Sequence, residues 1–170
     1  MAIKAPTSTP ESSNKGAKGA SADAVARRRS AMAVLAQAQP DEIEHGLRDA
    51  FACSIDYVEI RAPETGLVML RGRIGGDGAP FNLGEATVTR ATVQIASGEV
   101  GFAYSLGRDH GKARLSAICD ALWQSRDHRD AIEARVLAPI RARLAAEHLH
   151  QRAQTAATRV DFFTLVRGED

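Results

Sequence analysis

The sequence predicts an α+β domain: an antiparallel sheet of about four strands covered by helices, with N-terminal helices and a docked C-terminal segment. Three observations carry this. Apolar residues recur at helical spacing up to about residue 50, alternate between about 55 and 105, and return to helical spacing from 109. Ser97-Gly98 separates two alternating stretches, the mark of a tight hairpin. The closing run from Arg159 to Arg167 is too apolar for a loose tail, so it is expected to dock on something.

Taken in order, residues 1–20 are rich in Ala, Ser, Thr, Pro, Gly and Lys, with Ile3 the one large apolar group after Met1. Such a segment buries too little surface to offset its ordering entropy, and is expected to be a disordered tail ahead of a single domain at 21–170. Ser21-Ala22-Asp23 can cap a helix running to about Ala38, with Val25, Met32, Leu35 and Ala36 as its apolar stripe. Arg27, Arg28 and Arg29 give it a basic run, read as a solvated face. Pro40-Asp41-Glu42 opens a second helix to about Ala50, with proline and acids in the first turn.

Strands are expected at Ile55–Arg61, Gly66–Ile74, Glu85–Ile95 and Glu99–Ser105. In the second, Val68, Leu70 and Ile74 share one face and Arg71 and Arg73 the other; in the last, Val100, Phe102 and Tyr104 alternate with small residues. Asp109 is the expected cap of a helix to about Ser125, striped by Ala113, Ala117, Ile118, Ala121 and Leu122. A further helix from about Asp130 carries Ile132, Val136, Ile140 and Leu144, with Pro139 set to kink or restart it.

Composition bounds the function. A chain of 170 residues and 18.2 kDa is one domain, long enough for a core without disulfides or a structural metal. Lys plus Arg number 22 against 21 for Asp plus Glu, a balance that argues against a surface built to coat a polyanion. Cys53 and Cys119 stand far apart, which excludes a zinc ribbon or CxxC motif and suits a reducing cytoplasm. No apolar run reaches the ~18 residues of a membrane span, and the N-terminus lacks a secretory pattern. The protein is expected to be cytoplasmic.

No self-contained catalytic motif stands out. His148 and His150 are two apart, which on a helix points them to different sides, and His45, His110 and His128 have no ligand spacing; no metal site is expected. Gly75-Gly76-Asp77-Gly78 has glycines that can approach a phosphate, but lacks the helix and lysine of a P-loop, and reads as a connection. Glu64, Asp109 and Asp161 are candidate acid/base groups, read first as structural partners of arginine. The arginines are more suggestive: Arg61, Arg71, Arg73, Arg90, Arg108, Arg159 and Arg167 are candidate phosphate contacts, because arginine binds phosphate bidentately and stays charged when partly desolvated. Pairing with carboxylates explains them equally well, and spacing leaves both readings open. Phe162, Phe163 and Val166 are candidate interface anchors.

Several strings are more specific together than any one alone. They are Glu64-Thr65-Gly66-Leu67-Val68, then Arg71, Arg73, Gly75-Gly76-Asp77-Gly78 and Phe81, then Gly84-Glu85-Ala86-Thr87-Val88-Thr89-Arg90-Ala91. Gly107-Arg108-Asp109, Asp120-Ala121-Leu122-Trp123-Gln124 and the closing Arg159-to-Gly168 run complete the series. This series resembles the PhnG family, a subunit of the bacterial carbon–phosphorus lyase machinery, from about Ala24 to the chain end. The resemblance implies a non-autonomous transferase subunit in organic phosphonate catabolism. It implies PhnH-, PhnI-, PhnJ- and PhnL-type partners, with the nucleosidase chemistry placed in the PhnI type. The reaction implied displaces adenine from ATP with a phosphonate, giving α-D-ribose 1-methylphosphonate 5-triphosphate; ATP and phosphonate are substrates of the complex, and no cofactor is this chain's own. The resemblance assigns no catalytic residue to this subunit. A different class, a free-standing small-molecule or RNA-binding module, also fits an antiparallel sheet, but the strands show no paired aromatics of an RNA-recognition surface.

Overall fold

A helix rich in small residues can be approached closely from more than one side, and α3 (His110–Gln124) is the element around which this chain packs. The computed structural model describes residues 14–159 except 53, with side chains from 22 onward. Asp109 starts α3 as expected, accepting the backbone N–H of Lys112 at 2.8 Å. Ala113, Ala117, Ile118, Ala121 and Leu122 are all buried, and so are Cys119 and Trp123 on the opposite side. Burial pushes the Cys119 thiol well above its ordinary range, so it behaves as a small hydrophobe.

One side of α3 carries the sheet and the other carries α1 (Asn14–Gln37), α2 (Pro40–Ala50) and α4 (Arg129–Ile132). Helix α1 begins at Asn14 rather than at Ser21, and it packs through Ala31, Val34, Leu35 and Ala38. Val25, expected in the stripe, is 64% exposed, because the first turns of α1 reach past the body. The expected tail lies for the most part outside the described residues. At the start of α2 the Glu42 carboxylate accepts the N–H of Gln39 at 2.8 Å.

The described sheet has three antiparallel strands in the order β1 (Tyr57–Arg73), β2 (Pro80–Ile95) and β3 (Val100–Leu106). The two strands expected at 55–61 and 66–74 are one. Pro63 cannot donate to the ladder, yet Ala62 and Pro63 lie together between the pairs Arg61–Thr92 and Glu64–Arg90, opposite Ala91 alone. The strand therefore bulges there without ending.

On β3 the small residues face α3: Gly101, Ala103 and Ser105 are buried, while Val100, Phe102, Tyr104 and Leu106 face away. Close packing is the reason. A Cβ on Gly101 would lie 2.0 Å from the carbonyl oxygen of Ala117 and 2.4 Å from the nitrogen of Ala121. The string Asp120-to-Gln124 closes the outer edge of β3. Asp120 accepts the N–H of Phe102 at 3.0 Å, and Gln124 donates to the carbonyl of Val100 at 2.8 Å. Arg28 reaches the same buried carboxylate from α1 with two bonds of 2.8 and 2.6 Å. Trp123 donates its indole N–H to Glu133 at 2.7 Å.

Pro139 acts as expected, and its effect is felt before it. Lacking an N–H and crowding the carbonyl four residues back, it is preceded by a π turn over Glu133–Leu137 that joins α4 to α5 (Ala138–Ala157). Ile132, Val136, Leu137 and Ile140 are buried along this joint, and Leu144 packs at its margin. Beyond Leu144, α5 is exposed through its last turns. No described helix is long and apolar enough to cross a membrane.

Candidate functional site

Three of the quoted strings meet where α3 begins. Strand pairing sets Glu64 and Thr65 against Arg90 and Thr89, and Thr89 against Ser105, two residues before the Gly107-Arg108-Asp109 turn. Gly107 takes φ of +93°, a conformation that glycine adopts at little cost. Its N–H donates to Thr87 at 2.9 Å, which ties the turn to β2.

A chain of hydrogen bonds runs beneath the turn. The fully buried Thr89 hydroxyl donates to the Gly107 carbonyl at 2.8 Å. Having spent its one proton there, it can only accept from Thr65, 3.2 Å away. Thr65 in turn accepts from His110 Nε2 at 3.0 Å. The direction matters for chemistry: the imidazole is a donor, so it does not act as a base that activates the Thr65 hydroxyl. Thr65 and His110 are therefore fixtures of the site.

On the open face above lies an ion cluster. Arg90 Nε meets Glu64 at 2.6 Å, and Arg61 meets the same oxygen at 3.0 Å. Arg90, chiefly through its hydrogen bond, holds the Glu64 carboxyl below the ordinary carboxylate range despite the opposing effect of desolvation. Glu64 and Tyr104 together stabilise the Arg90 charge. Arg61, Arg90, Phe102 and Tyr104 line a shallow hollow with Ile60 and Thr92.

Among the described residues the sequence-predicted arginines do not form one group. Arg90 and Arg108 lie at the meeting point just described; Arg108 is exposed and makes no hydrogen bond or ion pair among the described residues. Arg71 and Arg73 sit on the far half of β1, seven and nine residues beyond Glu64, about 23 Å or more from the Arg90 pair at strand rise. Arg73 donates to the carbonyl of Gly78 at 3.1 Å. Arg159 ends the described chain after α5, and Arg167, Phe162, Phe163, Val166 and Asp161 lie outside the described residues, as does Cys53. Asp109 is a helix cap and Glu64 an arginine partner, both in structural roles. The Gly75-to-Gly78 loop caps the β1–β2 hairpin, with no helix after it.

One sequence reading needs correction. Phe102 and Tyr104 do form a pair of aromatics on the open sheet face, 44% and 55% exposed. They are not a vacant stacking platform, because the Arg28 guanidinium already lies 4.7 Å from the centre of the Phe102 ring. Alternation of large and small residues was visible in the sequence. Which set faced the helix depended on how closely α3 approaches, which Gly101 alone hinted at. Among the described residues no three His, Cys, Asp or Glu side chains gather to hold a metal ion.

The model of a family described as "Phosphonate metabolism protein PhnG" matches residues 26–168. A protein of Rhizobium meliloti (strain 1021), described as alpha-D-ribose 1-methylphosphonate 5-triphosphate synthase subunit PhnG, is 54% identical over 146 residues. That match covers 86% of this chain and 92% of the relative.

Proposed function

The chain belongs to the PhnG family of phosphonate metabolism proteins, and on that premise we propose that it serves as a subunit of a synthase making α-D-ribose 1-methylphosphonate 5-triphosphate. The observation that carries this is the 54% identity to a protein of that description across nearly the whole of both chains. The enzyme is the assembly, a transferase, with PhnH-, PhnI-, PhnJ- and PhnL-type subunits as partners.

In the reaction proposed, a phosphonate oxygen attacks C1′ of the ATP ribose. The C1′–N9 bond breaks, and adenine leaves with the bonding pair and takes up a proton. The triphosphate is a spectator with several negative charges, and holding it still is electrostatic work. Arg108 is the arginine of this chain best suited to that work. It is exposed, without a described partner, and fixed at its base by the Gly107 turn and the Asp109 cap. Arg90 is the second candidate, already ordered by Glu64. ATP and phosphonate are substrates, and the chain is proposed to need no cofactor of its own. Phe162, Phe163 and Val166 are proposed as further interface anchors, from their apolar character in sequence.

Reconstitution tests the reading. Purified partner subunits are assayed for adenine release with this chain, without it, and with Arg108→Ala. Product formation is expected to require the chain. Arg108→Ala is expected to lower the rate between about tenfold and a hundredfold, the worth of one charge-assisted hydrogen bond, in an intact complex. Full activity without the chain overturns the subunit reading; full activity with Arg108→Ala removes Arg108 from the triphosphate.

A further inference from the structure

The third strand ends at Leu106, opposite Val88, and β1 and β2 continue past it as a two-stranded arm. From Gly66 to Arg73 the arm extends about 25 Å at strand rise, well past the start of α3. Its tip is built rather than loose. Gly78 donates to the Ile74 carbonyl at 3.0 Å, and Gly75 and Gly76 take φ of +63° and +86°. The Phe81 ring lies across Gly72, so close that a Cβ there would meet it at 3.5 Å.

The composition of the arm does not suit water. Four consecutive apolar residues, Leu67, Val68, Met69 and Leu70, are 63%, 36%, 52% and 43% exposed. Alternation puts Leu67 and Met69 on one face, opposite Thr87 and Glu85, and Val68 and Leu70 on the other, opposite Ala86 and Gly84. Leu83, 65% exposed, adds to the apolar surface. Among the described residues no third strand reaches here, so both long edges carry unpaired backbone groups. The edge of β3, by contrast, is closed by Asp120 and Gln124.

We propose that this arm inserts into a cleft of a different subunit of the synthase, a cleft with two apolar walls and carboxylates where Arg71 arrives; this rests on the subunit reading above. Two apolar faces need two walls. A second copy of this chain, packed about a two-fold axis, would cover one face or one edge and leave the other bare. Charge points the same way. Arg71 is exposed with no ion pair among the described residues, and Arg73 is held by the Gly78 carbonyl, with no carboxylate bound to either. Because the arm is already a strand pair, insertion costs little ordering entropy.

The test uses the full chain, tagged and co-expressed with the other synthase subunits. Val68→Lys and Met69→Lys probe the two faces, Arg71→Glu the charge, and Leu149→Lys is a control on exposed helix; each free variant is checked for unchanged circular dichroism and melting. Both face variants are expected to cut recovery of the partner subunits at least tenfold, Arg71→Glu severalfold, and the control not at all. Light scattering is expected to find the free chain monomeric. If wild type recovers the subunits and either face variant recovers them equally well, the arm proposal falls and the subunit reading stands. If the free chain is a dimer that the same variants dissociate, the occupant is a second copy and the proposal also falls. If wild type recovers none, the subunit reading falls and takes the arm with it.

Discussion

At the scale of single residues, two positions concentrate the physics of this chain. Gly101 is where β3 and α3 touch, with backbone on the other side rather than a side chain that can swing away. Gly101→Ala is expected to destabilise the protein by about 3 kcal/mol, at the upper end for overpacking, because strand and helix must separate to admit the methyl. Urea unfolding checks this, and a loss under about 1 kcal/mol would mean that the two backbones separate readily. Asp120 is the second. It is 1% exposed and receives two bonds from Arg28 and one from the Phe102 N–H. Asp120→Ala leaves a half-buried guanidinium and an edge N–H without their acceptor, and is expected to cost about 3–5 kcal/mol. Replacing Asp120 and Arg28 together with apolar residues of similar size is expected to cost less than Asp120→Ala alone.

At the scale of elements, the helices were largely legible and the sheet was partly so. The stripes of α3 and of the segment carrying Ile132, Val136 and Ile140 predicted buried faces directly, since one face of a helix repeats every few residues whatever it packs against. Val25 failed because a stripe says nothing about how far a helix outruns its neighbours. The gap expected between Arg61 and Gly66 was overridden by pairing with β2 around Ala62 and Pro63, giving one bulged strand where two were expected. The meeting of Thr65, Thr89, Gly107 and His110 was not legible at all, because it depends on register between distant segments. A link between elements supplies a further prediction. Arg143 on α5 donates to Glu42 on α2 at 2.5 and 2.9 Å, and chiefly for that reason the Glu42 carboxyl lies below its ordinary range. A depressed folded-state value means that this contribution is complete above the unfolded carboxylate range and is lost as pH falls through the folded one. Glu42→Gln is therefore expected to cost on the order of 1 kcal/mol at pH 7 and to flatten the loss of stability below about pH 4. Denaturant midpoints at pH 7 and pH 3 measure it, and equal slopes for both proteins would contradict it.

At the scale of the whole molecule, a body packed around one helix bears apolar surface that the described residues do not bury among themselves. Val58, Ile60, Phe102, Tyr104 and Leu106 face outward from the sheet, and the arm adds Leu67, Met69 and Leu70. Part of the charge is spent on pairing, as between Glu64 and its two arginines, between Arg114 and Glu59, and between Arg141 and Glu133. The apolar arm carries Arg71, and the start of α3 carries Arg108, neither with an ion pair among the described residues. Insertion of the arm as proposed above would add stability of a measurable size. A partner present at a hundred times its dissociation constant adds about 2.7 kcal/mol, which for a domain of this size raises the melting temperature by about 5–10 °C. The shift is expected to grow with partner concentration and to vanish in Met69→Lys, whose own melting in isolation stays at the wild-type value because the residue is half exposed in the free chain. A shift of equal size in Met69→Lys would place the stabilising contact elsewhere than on that face of the arm.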